Sequence, residues 1–184
     1  MNKLSAKAHY SDNAAADLIS EDLVKHFNEK TLIVCIGTDK CIGDSLGPLI
    51  GTFLVKNNFP YPVIGTLENP VHAINIDSTV KEIKEKYPGY HVIAVDACIG
   101  YEECVGDIQI KIGPVSPGKG VGKSLPQVGD ISIYGIVDSI DNADIFSIKN
   151  IRLNFIMNMA EVISKSLINA ANKTVNEAAV TAVN

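Results

Sequence analysis

Two aspartates stand out by what surrounds them. Asp44 lies in Gly43–Asp44–Ser45–Leu46–Gly47–Pro48, a short loop after the apolar run Leu32–Ile36, and Asp96 directly closes the apolar run Val92–Val95. Carboxyls brought into one site cannot both ionise cheaply. One pKa rises, and the pair holds a single proton between an acid and a base. That pair can activate water against an amide carbonyl while the protonated partner steadies the developing oxyanion. Paired carboxylates also hold metal ions, usually with a third ligand such as histidine. His72, in the loop Glu68–Ala73, is placed to serve as that ligand or to touch substrate, whereas His9, His26 and His91 have no such position. Ser45 offers a hydroxyl nucleophile, but no histidine is positioned by sequence to activate it. Both aspartates also have simpler uses: Asp44 can cap the helix opening near Leu46, and Asp96 can brace the turn at Gly100.

The elements around them decide whether the two meet. Leu32–Ile36 has no alternating polar residue, so it reads as a strand buried on both faces that stops at Gly37. His91–Asp96 reads the same way. In open parallel sheets, ligands bind outside the carboxyl ends of the strands. If these strands are parallel neighbours, Asp44 and Asp96 share a crevice that Gly37 helps to line. The remaining pattern predicts helices from Asp12 or Asn13 to Glu29, Leu46 to Lys56, Asp77 or Ser78 to Tyr87, and Ile148 to Ala171, the last being the longest. It predicts further strands at Val63–Leu67, at Gly106–Ile112 with the alternation of an antiparallel or edge strand, and at Ile131–Val137. Asp138, at the end of the last strand, either lines the crevice or braces the turn with Asp141 and Asn142.

Residues 1–11 read as a flexible polar arm and residues 173–184 as a fraying tail. Between them, residues 12–172 form a single α/β domain, with no internal repeat and no composition break. The longest aperiodic stretch, residues 113–130, contains Gly118–Lys119–Gly120–Val121–Gly122–Lys123–Ser124. It is not a P-loop, because Pro117 stands where that motif needs glycine and Pro126 and Gly129 oppose the helix that must follow. A glycine-rich basic loop can still hold an acidic group or a backbone carbonyl.

The net charge of −5 opposes sequence-independent nucleic-acid binding, which needs a basic surface. No apolar run approaches the ~18–20 residues of a bilayer span. The first ten residues carry two lysines but no apolar signal core, so residence in the cytoplasm is expected. Cys35, Cys41, Cys98 and Cys104 lack CxxC spacing. They read as reduced packing residues, with a thiolate metal site as the alternative, since Cys41, Cys98 and Cys104 fall near the proposed crevice.

Gly43–Pro48 resembles the first motif of the bacterial spore germination protease and, more remotely, of the hydrogenase maturation proteases. Val92–Ala97 is similar to their second motif, and Pro117–Gly122 to a glycine-rich loop of the germination protease. With Thr66–Ala73, the chain is identified as a member of the YyaC-type sporulation proteins, short relatives of that protease. The resemblance covers roughly residues 30–165. It implies a three-layer α/β/α sandwich of the phosphorylase/hydrolase-like kind with a mostly parallel sheet, and an endopeptidase site with Asp44 and Asp96 as catalytic residues. Gly37, His72, Gly118, Gly120 and Gly122 would then contact a protein or peptide substrate, in a protein of the forespore or spore interior. In the nickel-hydrogenase proteases the matching acids are metal ligands aided by a downstream histidine. Ser124–Asp130 has none here, so a metal-free dyad without cofactor is expected. The long final helix offers a face for a second copy of the chain.

Overall fold

The computed structural model describes residues 3–118, 125–140 and 151–181, those beyond Asn176 by backbone alone. Six strands form one sheet in the order β1 (Lys3–His9), β5 (Asp107–Ile112), β6 (Ile131–Ser139), β4 (His91–Gly100), β2 (Thr31–Cys35) and β3 (Val63–Ile64). From β6 to β3 the strands are parallel; β1 and β5 join antiparallel at the other side. Alternating side chains divide between two cores. Ile33, Cys35, Ile93, Val95, Ile110 and Ile133 pack beneath α1 (Ala15–Leu23), α2 (Leu46–Lys56) and α4 (Leu153–Thr181). Leu32, Val34, Ile36 and Ala94 pack with Ile76 and Ile83 of α3 (Ile76–Lys86) on the opposite face. The architecture is the expected three-layer α/β/α sandwich with a mostly parallel sheet. Among the described residues, no helix is long and apolar enough to cross a membrane.

Several elements differ from the sequence pattern, each for a local reason. Residues 3–9, expected as a flexible arm, are the edge strand β1, paired from Lys3↔Ile112 to His9↔Asp107. Its inward side chains are only Ala6 and Ala8, too small to give a hydrophobic signal; Lys7 Nζ instead sits 3.0 Å from the buried Asp107 carboxylate. The first helix begins after Asp12, whose Oδ1 accepts the Ala14 amide at 2.9 Å, and ends sooner than expected, in a 3₁₀ turn at Val24–His26. The strand at Val63 is cut to two residues because Gly65, at φ +94°, turns the chain against the Cys35 carbonyl. The final helix starts at Leu153 and continues to Thr181, well beyond the expected fraying point. Its apolar face, with Ile156, Met159, Ile163 and Leu167, is buried in the chain's own core against α1 and α2 and does not need a second copy to cover it. The sequence also admits a short helix near Ala143–Phe146; these residues, with Asp141 and Asn142, lie outside the described residues.

Candidate active site

The site begins where β2 stops. Cys35 is its last residue paired with β4, opposite Val95; the next amide, Ile36 N–H, donates to the Val95 carbonyl at 2.8 Å. Gly37 N–H then donates to the Val71 carbonyl at 2.7 Å, tying the strand end to the loop before α3. Gly37 has φ +141°, and a Cβ on it would collide with the carbonyl of Asp44. That carbonyl accepts the Thr38 amide at 2.9 Å, which closes the 38–44 loop on itself. Gly47 performs the same service one turn later, letting the first turn of α2 rest on the Ile36 carbonyl. These two close approaches fix Asp44 over the end of the sheet. Gly37 therefore builds the crevice wall, and its amide, expected to hold substrate backbone, is already committed to Val71.

Asp44 does not cap α2, whose N-cap residue, Ser45, makes no side-chain cap hydrogen bond. The Ser45 hydroxyl is buried and donates to the Ile42 carbonyl at 2.6 Å, so it is not presented as a nucleophile. Asp96 is not the last residue of its strand, as the sequence suggested: β4 continues to Gly100 beside β6, with Asp96 level with Tyr134. Because β2 ends first, Asp96 still stands one residue past the end of that neighbour, and it is only 9% exposed.

The electrostatics link the two carboxyls. Burial pushes Asp44 up to about 6, against the pull of the Thr38 amide and of His72. Burial, and then the charge of Asp44, push Asp96 well above the usual carboxylate range, with the Ala97 amide opposing. The coupling falls on Asp96 for a simple reason. Asp44 ionises first, beside a still neutral neighbour, and Asp96 must then ionise in the field of an existing anion. The arrangement is unequal: Asp44 gives up its proton first, at about pH 6, and Asp96 holds its own to higher pH.

His72 joins them through the loop after β3. Asn75 clamps that loop, its Oδ1 accepting the His72 amide at 2.8 Å and its Nδ2 donating to the Pro70 carbonyl at 2.9 Å. The Ile74 amide points at His72 Nδ1 from 3.3 Å, which assigns the proton of the neutral ring to Nε2. Gly118 is a turn residue with φ +74°; Gly120 and Gly122 lie outside the described residues. The roots of their loop are fastened by paired bonds between Val115 and Val128, and both valines belong to the core of the Asp96 face. Asp138 lies within β6, opposite Ile99, and accepts the Ser139 amide at 2.8 Å; Asp141 and Asn142, its expected turn partners, lie outside the described residues.

Tyr134 and Lys111 carry no chemical signal in the sequence, whereas Cys98 reads there as near the crevice. Tyr134 lies opposite Asp96 in register, with Lys111 Nζ 5.0 Å from its ring centroid. Burial raises the Tyr134 hydroxyl, and Asp96 and Cys98 raise it further. Burial, with Asp96 next, pushes the Cys98 thiol up to about 12, so it is not a ready nucleophile at neutral pH. The signal that could have found them is their parity: Asp96 and Cys98 alternate onto one face of β4, beside Tyr134 on β6. Among the described residues, no three His, Cys, Asp or Glu side chains converge to hold a metal ion. A separate groove of about 300 Å³ lies at the opposite end of the sheet, beside Ile83, Tyr87, Val92 and Asp130. Asp44 and Asp96 do not line it.

Residues 7–166, which take in β2 to β6, the end of β1 and both carboxyls, match the family described as a protein of unknown function, DUF1256. The chain belongs to the DUF1256 family. It is also 44% identical over 163 residues to the uncharacterized protein YyaC of Bacillus subtilis strain 168, covering 86% of this chain and 80% of that relative. The family match takes in Gly37, Asp44, His72 and Asp96 together, along with the Gly37 and Gly47 approaches that fix Asp44 above Asp96.

Proposed function

We propose that this DUF1256 protein is a sporulation-associated endopeptidase of the germination-protease type. Asp44 is the base that draws a proton from water, and Asp96 is the acid that donates to the carbonyl oxygen of the scissile amide. What supports this reading is the unequal pair: the ends of adjacent parallel strands bring two carboxyls to one sheet end, burial raises both, and the charge of Asp44 raises Asp96 further. His72 steadies the ionised form of Asp44 and offers Nε2–H to substrate. Protein or peptide substrate lies across the crevice mouth, and Gly118, Gly120 and Gly122 are proposed to contact it. The resemblance of Gly43–Pro48 and Val92–Ala97 to the germination protease supports the same assignment, and no nucleic acid or membrane is involved.

The test is incubation with acid-extracted spore proteins, comparing the native chain with Asp44→Asn and Asp96→Asn. New peptide termini, read by mass spectrometry, are expected with the native chain only. Equal cleavage by all three chains, or cleavage by none, defeats the proposal.

A further inference from the structure

A strand edge is left open beside the carboxylates. β4 outruns β2: pairing between them ends at Cys35↔Val95 and the Ile36 amide, while β4 continues through Asp96 to Gly100 with only β6 at its side. In a parallel ladder, alternate residues of a strand turn both backbone groups to the same neighbour. Val95 turns to β2, so Ala97 turns to the space that β2 has vacated; past it, β4 shifts register against β6 between Cys98 and Ile99. Among the described residues, nothing on the β2 side bonds to the Ala97 carbonyl or to the backbone of Ile99. Internal edges of this kind are normally covered, because unpaired backbone groups recruit another strand. This one starts at Asp96.

The surroundings describe what would cover it. Ile74, Tyr101 and Ile99 are 86%, 62% and 46% exposed, and Ile42 and Ile140 are also exposed. Ile99 lies in the overrunning end of β4, and Ile42, Ile74, Tyr101 and Ile140 lie in the segments that follow β2, β3, β4 and β6 in the chain. Isolated exposed apolar residues are ordinary, but several in the segments that follow the carboxyl ends of one parallel sheet suit a binding surface. Backbone groups call for extended backbone, and the rim calls for apolar side chains.

We propose that the substrate segment is an extended, apolar stretch of polypeptide that adds as a strand along Ala97–Gly100, in line with β2. This rests on the peptidase reading for its outcome but not for its binding mode. Strand addition derives affinity from main-chain hydrogen bonds and specificity from alternate side chains. The segment docks on one side of the scissile bond, which its register sets against Asp96. Substrate choice on that side therefore depends on extended backbone and apolar alternation, and not on charge.

The experiment uses the full-length Asp44→Asn chain and a fluorescent ten-residue peptide of alternating valine and threonine. Two further peptides are N-methylated at alternate residues, one at the valines and one at the threonines. Only one parity of amide can face β4, so methylation in one parity is expected to weaken binding at least tenfold and in the other less than twofold. Ile99→Pro, which removes the Ile99 N–H from the proposed edge, is expected to weaken the unmethylated peptide tenfold with an unchanged circular dichroism spectrum. Ile99→Ala keeps the amide and should retain most of the affinity. Equal loss in both parities, no loss in either, or no binding of any peptide overturns the proposal. Parity-dependent binding by a native chain that cleaves nothing would remove the peptidase reading and leave the docking mode standing. Aspartate-dependent cleavage of spore proteins without parity dependence would do the reverse.

Discussion

Among the described residues, four of the aspartates withdrawn wholly or partly from water form two contrasting pairs. Asp22 and Asp107 each face a lysine, with Lys25 Nζ and Lys7 Nζ both at 3.0 Å, and each pair ties local chain together: Asp22 within its helix, Asp107 across the β1–β5 ladder. Despite its burial, Asp22 stays below the usual carboxylate range because Ser5, Lys25 and His26 favour its charge. Asp44 and Asp96 have no lysine or arginine ion pair among the described residues, and they face each other. A buried carboxyl that needs only to be stable takes a cation. One that must carry a proton near neutral pH is left without one, at a standing cost in stability.

The contrast is broken most severely by removing charge at each pair in turn. Asp44→Asn and Asp96→Asn should each lower cleavage at least a hundredfold, the usual scale for losing a positioned acid or base. Asp22→Asn and Asp107→Asn should leave the rate within about twofold once folding is matched. A large loss from the second pair, measured as kcat/KM on the same substrate, would show that the distinction between them is false.

Next in size is Gly37→Ala, which leaves all four aspartates in place. The added Cβ meets the Asp44 carbonyl in a left-handed backbone conformation, so the 38–44 loop must move. Cleavage should fall by more than about tenfold, while the strand β2, complete at Cys35, keeps the fold. A crystal structure of the variant with Asp44 unmoved and activity lost would instead assign Gly37 a direct role with substrate.

How far the sequence discloses all this depends on the kind of signal. Buried parallel strands announce themselves as unbroken apolar runs, so β2, β4 and the meeting of Asp44 with Asp96 were legible in Leu32–Ile36 and Val92–Val95. The strand β1 was not, because Ala6 and Ala8 bury too little surface to mark a face and Lys7 is there for a partner a hundred residues away, Asp107. The overrun of β4 was hidden for a related reason. Ala97–Gly100 is a strand because β6 lies beside it, and pairing of that kind is a property of the neighbour rather than of the segment. Tyr134 and Lys111 belong to the site only through that register. Local pattern shows which residues can be buried; it does not show which strand outlasts its neighbour.

The stability of the two pairs should respond to pH in opposite directions, by a few degrees in Tm. Asp22 is held low in the folded state, so its contribution is full above an unfolded pKa of about 3.9 and fades as pH falls through its folded value. Asp22→Asn should therefore lower Tm at pH 7 and do little at pH 3. Asp96 is held high, so folding at pH 7 must take up a proton that the unfolded chain has released. Asp96→Asn removes that penalty and should raise Tm by about 5 °C at pH 7, with the gain vanishing below about pH 4. Calorimetry at the two pH values checks both signs, and equal behaviour of the two variants would dissolve the contrast.

The smallest effect sharpens the pair from within. Activity should rise with pH through about 6 as Asp44 loses its proton, and decline at higher pH when Asp96 loses the proton it donates. The charge on His72 helps to hold Asp44 down, opposing burial, and nothing else in the loop after β3 does so. With His72→Ala, burial is opposed by the Thr38 amide alone. The acid limb of the kcat/KM profile should then move to higher pH by a fraction of a unit up to about one unit, while the alkaline limb, set by Asp96, stays where it is. A uniform drop in rate with both limbs fixed would make His72 a substrate contact and leave the tuning of Asp44 to burial and backbone.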